Sequence, residues 1–307
     1  MTWRDAAVPL AIFALLAIAP FAGFGQGHSL TLLARAMIFG MAAISLSLIV
    51  GGAGLVSLGH AAMLGVGAYT VVVLDHARIT EGWMVVPIAI AASAAFAAVT
   101  GAIAIRTSGV HFIMITLAFG QMAFFATSSL ALYGGDDGYT LYSRTELFGT
   151  RALEGRLFFH FTCLALLILC WALVQALLAS RFGRVLRAAR ENETRARAVG
   201  FEPYRYRLVA YAIAGAIGGL AGVLLANGTE FVAPAYVTWQ RSGDLLFMVI
   251  LGGAAGPHGA LMGALAFILV EEWLAHVTEH WRLIFGPLLI LCVYYMRGGI
   301  AGLLRRG

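Results

Sequence analysis

Met84 to Ile105 reads MVVPIAIAASAAFAAVTGAIAI, a stretch without one charged side chain. About 20 apolar residues in a helix cross a hydrocarbon core about 30 Å thick. Inside that core each backbone N–H and C=O must be satisfied within its own segment, which selects the helix. The alternating polar and apolar pattern of a barrel strand is missing. The stretch therefore reads as a transmembrane helix, and the chain repeats it. Comparable apolar segments run from Ala6 to Phe24, Leu32 to Val50, Ala61 to Leu74, Val110 to Leu132, Leu157 to Ala179, Leu208 to Ala226, Leu245 to Val270 and Leu283 to Met296. The expected fold class is all-α: a polytopic helical membrane protein of about eight to ten transmembrane helices, organised as one integral membrane domain over residues 1–307.

Composition agrees. Of 307 residues 61% are hydrophobic and 11% charged, with mean hydropathy +0.88, far too few charges to cover a soluble surface of that size. All 20 basic residues are arginine. A chain with no lysine can hold neither a Walker A phosphate loop nor a Schiff base, so any ATP hydrolysis belongs to a partner. Cys163, Cys170 and Cys292 lie in apolar stretches with no disulfide framework or metal-ligand spacing. No metal, cofactor or nucleic-acid partner is expected, and membrane lipid is the expected solvent. No HExxH, GxSxG or paired-carboxylate pattern marks an embedded enzyme.

Arginine placement sets orientation. Ser180 to Arg207 carries eight arginines against three glutamates, an excess equal to the whole formal net charge of +5. This segment and the tail with Arg297, Arg305 and Arg306 are expected in the cytoplasm. Tyr133 to Arg156, where Asp136, Asp137, Glu146 and Glu154 face three arginines, is expected outside. Both termini then lie in the cytoplasm of a bacterial inner-membrane protein. The first apolar segment is read as an uncleaved span rather than a cleaved leader. The forward count closes only if Asp244 to Val270 makes two short crossings or a re-entrant hairpin around Gly252 to Gly259.

Two segments depart from ordinary spans. Gly51 to Tyr69, GGAGLVSLGHAAMLGVGAY, sets six glycines, Ser57 and His60 at membrane depth. Leu251 to Leu265, LGGAAGPHGALMGAL, resembles it around His258. Glycine this dense loosens or breaks a helix, and interrupted helices expose backbone groups along transporter paths. His60 and His258 are read first as hydrogen-bonded structural groups and second as path residues. Asp244 and Glu230 are expected near the outer mouth.

The cytoplasmic segment reads SRFGRVLRAARENETRARAVGFEPYRYR. Its pattern predicts one short amphipathic helix bracketed by Gly183 and Gly200, with Pro203 preventing continuation. Arg187 with Glu191, Glu191 with Arg195 and Glu193 with Arg197 fall at i,i+4 on a charged face. Val185, Leu186, Ala189, Ala196 and Val199 make an apolar patch. A helix with both shape and charge fits a docking element for a cytoplasmic partner better than a lipid anchor.

These residues resemble the permeases of branched-chain amino acid ABC transporters. The likeness rests on GLVSLGHAAMLGVGAY (Gly54 to Tyr69), HFIMITLAFGQM (His111 to Met122), SRFGRVLRAARENETRARAVGF (Ser180 to Phe201), MVILGGAAGPHGALMGA (Met248 to Ala264) and the closing MRGGIAGLLRR, in order over nearly the whole chain. The resemblance implies a second, homologous permease subunit, two cytoplasmic ATP-binding subunits and a periplasmic solute-binding protein. It makes the arginine-rich segment a coupling element, with Gly183, Arg187, Ala189, Glu191, Glu193, Ala196 and Gly200 as its candidate residues. Ser57, Gly59, His60, Thr116, Gln121 and His258 are the candidate path residues. Arg195 and Arg197 stand where the pattern leads one to expect small or acidic residues, which calls for an acidic surface on the ATPase. The competing reading is an ion-coupled secondary transporter or channel, which would need intramembrane carboxylate relays of which the chain has few. Branched-chain amino acids, urea, amides and aromatic acids all remain open as solutes.

Overall fold

The computed structural model describes residues 3–22, 27–146, 149–254, 256–278, 280, 283–287, 290–291 and 298–306. Twelve helices can be named among them: α1 Trp3–Ile18, α2 Gly27–Ser47, α3 His60–His76, α4 Gly82–Ala104, α5 Val110–Ser128, α6 Arg156–Ala179, α7 Arg181–Glu191, α8 Glu193–Ala198, α9 Pro203–Thr229, α10 Trp239–Gly252, α11 Pro257–Val277 and α12 Gly299–Arg306. A π-helical turn, Leu48–Ala53, extends α2. The two short strands β1 (Tyr139–Thr140) and β2 (Phe231–Val232) pair antiparallel.

The expected fold class holds. Among the described residues six helices are long and apolar enough to cross a membrane: α2 with its π turn, α4, α5, α6, α9 and α11. Helices α1, α3 and α10 are shorter, and Ala7–Ile18 of α1 is apolar throughout. Of the expected last span, residues 283–287 and 290–291 are helical and the others lie outside the described residues.

Helices α2 and α9 form the interior. Met37, Met41, Ile44 and Leu46 on α2 are fully buried. Helix α9 touches α3 almost backbone to backbone, because a Cβ on Gly222 would run into the Leu64 carbonyl. Small residues let helices meet at this distance where lipid removes any hydrophobic drive to associate. Helices α4, α5 and α6 form a shell, with Val99, Met114 and Leu169 pointing outward. Such exposed apolar side chains are costly in water and unremarkable in lipid.

The two ends of the bundle differ. One carries the loop between α5 and α6, strapped down by the β1–β2 pairing, by Asn227 Oδ1 accepting from Thr145 N (2.7 Å) and by Arg144 on Glu230 (2.8 Å). Tyr139 donates to Asp75 at the end of α3 (3.2 Å). Burial, and then the neighbouring Asp75 carboxylate, push the Tyr139 phenol above its ordinary range. The other end carries α7, α8 and α12, with most of the arginines.

Candidate translocation path and coupling surface

The glycine-rich segment is a true interruption. Gly54 ends the π turn in the left-handed region (φ +72°), its N–H returning to Ile49 O. Residues 55–59 then run without helical bonds, and α3 begins at His60 with no side-chain cap. Irregular backbone at membrane depth needs partners from the protein itself. Hydroxyls supply them: Thr116 Oγ1 accepts from Leu58 N (3.3 Å), Ser57 Oγ from Gly59 N (3.3 Å) and Ser242 Oγ from Ala61 N (3.0 Å). Ser57 also lies 3.4 Å from the Tyr211 hydroxyl, whose ring meets Phe112 edge-on.

His60 is buried at the head of α3. Its Nε2 lies 2.7 Å from Ser45 Oγ, and the single Ser45 proton is directed to Ala42 O, also at 2.7 Å. His60 Nδ1 is a buried atom without a hydrogen-bond partner among the described residues. Gly59 abuts the Thr116 backbone, and Gly120, one turn further on α5, faces Gly59 in turn.

The structure thus gathers Ser57, Gly59, His60 and Thr116 into one socket. Gln121 follows Gly120 on α5 but lies off the buried stripe formed by Phe112, Thr116 and Gly120. His258 is placed elsewhere: Trp171 Nε1 of α6 donates to its Nδ1 (3.0 Å). It occupies a position analogous to His60, in the first turn of a helix that follows a glycine break. Socket residues Ser45, Tyr211 and Ser242 carry no local signal of this role, since they reach residues 57–61 from three other helices. Asp244 lies on α10 two residues past Ser242 and pairs with Arg241 (3.4 Å).

Helices α10 and α11 form the expected hairpin around Gly252 to Gly259. A Cβ on Gly252 would collide with the Gly259 carbonyl, so the two arms touch at the break. Gly298 and Gly299, at the start of α12, close against Gly253.

The arginine-rich segment differs from its expected form. It is two helices rather than one, broken at Asn192, whose Oδ1 accepts from Arg195 N (2.9 Å) as the cap of α8. Of the three anticipated i,i+4 pairs, Glu193 with Arg197 forms (2.6 Å). Arg187 instead caps the end of α6 through Leu178 O (2.9 Å). Glu191 and Arg195 stand on opposite sides of the Asn192 break. Gly183 makes no turn: it lies inside α7, where a Cβ would strike the Leu178 carbonyl. Gly200 does make the exit turn, at φ +95°. Val185, Leu186, Ala189 and Ala196 are buried against the protein's own bundle, while Val199 is 70% exposed.

Two contacts tie this segment to the rest. Arg190 Nη1 donates to Gly51 O (2.6 Å), at the start of the interruption. Glu193 receives Arg207 (2.8 Å) as well as Arg197. Partial burial raises the Glu193 pKa, but the bonds and charges of Arg207 and Arg197 outweigh it and hold the carboxyl below its ordinary value.

Apolar helices, two glycine breaks and polar side chains converging on one of them define a multi-pass membrane protein of the transporter class. The chain belongs to the branched-chain amino acid transport system permease component family, whose model matches residues 29–293. It is 28% identical over 292 residues to the high-affinity branched-chain amino acid transport system permease protein LivM of Escherichia coli, covering 88% of this chain and 69% of that one. The Salmonella typhimurium LivM is 28% identical over 320 residues, covering 96% and 75%. The corresponding LivH of Escherichia coli is 30% identical over 125 residues, 40% of each chain. No solved structure matches.

Proposed function

We propose that the chain is the membrane-spanning subunit of an ATP-driven importer in a bacterial inner membrane. It moves branched-chain amino acids, or a similar small polar solute, from a periplasmic binding protein to the cytoplasm. A second permease subunit stands beside it and two ATP-binding subunits stand beneath. Residues 180–207 and both termini face the cytoplasm, and residues 133–156 face the periplasm. The chain supplies transport rather than catalysis, because a sequence without lysine offers no Walker A loop to ATP. Family membership disfavours the ion-coupled alternative.

The observation that carries the coupling assignment is the Arg190–Gly51 bond, which joins α7 to the interrupted segment. Movement of α7 by a partner reaches Gly51, then residues 55–59 and the socket of Ser57, Gly59, His60 and Thr116. Within the coupling segment the roles divide. Gly183, Arg187, Ala189 and Ala196 seat it on the bundle. Glu191, Arg195, Val199 and Phe201 are turned outward and form the ATPase-facing surface. The half-buried Arg241–Asp244 pair offers both signs of charge beside the socket, as a zwitterionic solute requires.

The test is a double substitution at the exposed tip, Val199→Asp with Phe201→Asp, in the assembled transporter. The expected result is loss of the co-purifying ATPase and at least a tenfold drop in vesicle uptake of leucine, isoleucine or valine, with normal membrane yield. Wild-type retention and uptake would remove the coupling role. Urea uptake in place of amino acid uptake would redirect the solute assignment.

A further inference from the structure

We infer that the loop end of the bundle carries a binding site for a divalent transition-metal ion of zinc type, with His28, Glu272 and His276 as ligands. One nitrogen from each ring and one Glu272 carboxylate oxygen lie within 4.8 Å of one another. Glu272 and His276 are four residues apart on α11, a spacing that sets two ligands on one helix face. His28, in the first turn of α2, brings the third from 244 residues away, its Nε2 3.0 Å from Glu272 Oε1. The two imidazoles approach edge-on, with centroids 6.3 Å apart.

Helix geometry holds His276 at the same place: its Nδ1 lies 2.7 Å from the main-chain oxygen of Glu272 and 3.9 Å from Glu272 Oε1. Arg35 is bonded to Glu271 (3.1 Å) rather than to Glu272. The charge-bearing partner of that cation is thus a different carboxylate, and Glu272 is left to the two imidazoles.

Donor chemistry narrows the ion. Two imidazoles and a carboxylate, with water in the fourth position, form a known zinc set. Calcium and magnesium prefer oxygen ligands throughout. Bond lengths of about 2.0–2.1 Å place tetrahedral ligand atoms about 3.3 Å apart, so the three groups must close by on the order of 1 Å. His28 and His276 are 74% and 67% exposed, and side-chain rotation alone can bring this about. A bound ion would fasten the first turn of α2 to the last turn of α11. Pattern reading of the sequence missed the set because the third ligand comes from the other end of the chain.

Zn²⁺ and Co²⁺ would be titrated into the purified full-length protein carrying no polyhistidine tag, against a chromophoric competitor. The expected result is about one ion per chain, with the Co²⁺ spectrum of a four-coordinate site. His28→Ala, Glu272→Gln and His276→Ala should each weaken binding at least ~10-fold. His76→Ala and His111→Ala, at exposed histidines elsewhere, should leave it unchanged. Absence of stoichiometric uptake at micromolar metal would overturn the site, as would affinity indifferent to His28→Ala.

Discussion

Replacing Gly59 with alanine probes whether the break must seat on α5. The added Cβ would stand 2.9 Å from the Thr116 carbonyl carbon and nearer still to its oxygen. Ordinary carbon contacts are about 3.5–4.0 Å, so one backbone must retreat by on the order of 1 Å. Neither side can give cheaply: Thr116 O belongs to a helix, and Gly120 already lies against Gly59. Overpacking of this kind costs about 1–3 kcal/mol. Retreat would also stretch the 3.3 Å bond from Leu58 N to Thr116 Oγ1, worth about 1 kcal/mol. A total of about 2–4 kcal/mol should lower the melting temperature of the purified protein by about 5 °C or more. Reconstituted uptake should fall at least tenfold at equal membrane abundance. Gly286→Ala is the matched control, because among the described residues a Cβ there meets nothing within 4 Å. The reasoning fails if Gly59→Ala melts and transports like the control.

Glu193 gives a pH prediction. Its folded pKa lies below the ordinary value of 4.5, so its ion pairs stabilise α8 above that value, and their contribution is lost as pH falls through the folded pKa. Because the carboxylate is 37% exposed, solvent reduces the effect to about 0.5–1 kcal/mol. Glu193→Gln should speed amide exchange in α8 at pH 7, the difference from wild type fading in acid; a difference independent of pH would contradict the assignment. For orientation, Tyr142→Cys, at a side chain 94% exposed on the loop end, should react with an impermeant thiol reagent in intact cells. Thr194→Cys should react only after permeabilisation, and labelling of Thr194→Cys from outside would invert the topology.

The spans were legible because length and hydropathy act locally: Met84 to Ile105 could hardly be anything but a membrane helix. The breaks were legible as glycine clusters, although Gly215, Gly218, Gly219 and Gly222 cluster in the unbroken α9 and serve close packing there. The arginine-rich segment was only half legible. Its amphipathic pattern fixed which residues share a face, but periodicity cannot say whether an apolar face meets another protein or its own bundle. Four of the five apolar residues turn inward, and Asn192, a favoured N-cap residue, broke the single helix that the i,i+4 pairs presupposed. The socket was least legible. Ser45, Tyr211 and Ser242 reach residues 57–61 from α2, α9 and α10, and no pattern within those helices marks them.

Both glycine breaks are closed from the arginine-rich end by a short helix: Arg190 of α7 holds Gly51, and the start of α12 holds Gly253. The bond from Ala61 N to Ser242 Oγ stitches the first break to α10, one arm of the hairpin at the second. A displacement of α7 would therefore be felt in both. A bistable element needs a gap of a few kcal/mol, since a shift from 1:99 to 99:1 takes about 5.5 kcal/mol. The interrupted segment is held by the bonds of Leu58, Gly59 and Ala61 N–H and by Arg190, each worth about 1 kcal/mol, a total of the same order. A covalent tie or a fully apolar seat would have to be broken at far greater cost. An uninterrupted helix would have no joint at which to move. Hydroxyl-held backbone at a glycine break provides the joint, and the weakness of its bonds is what would let a docked partner reset it.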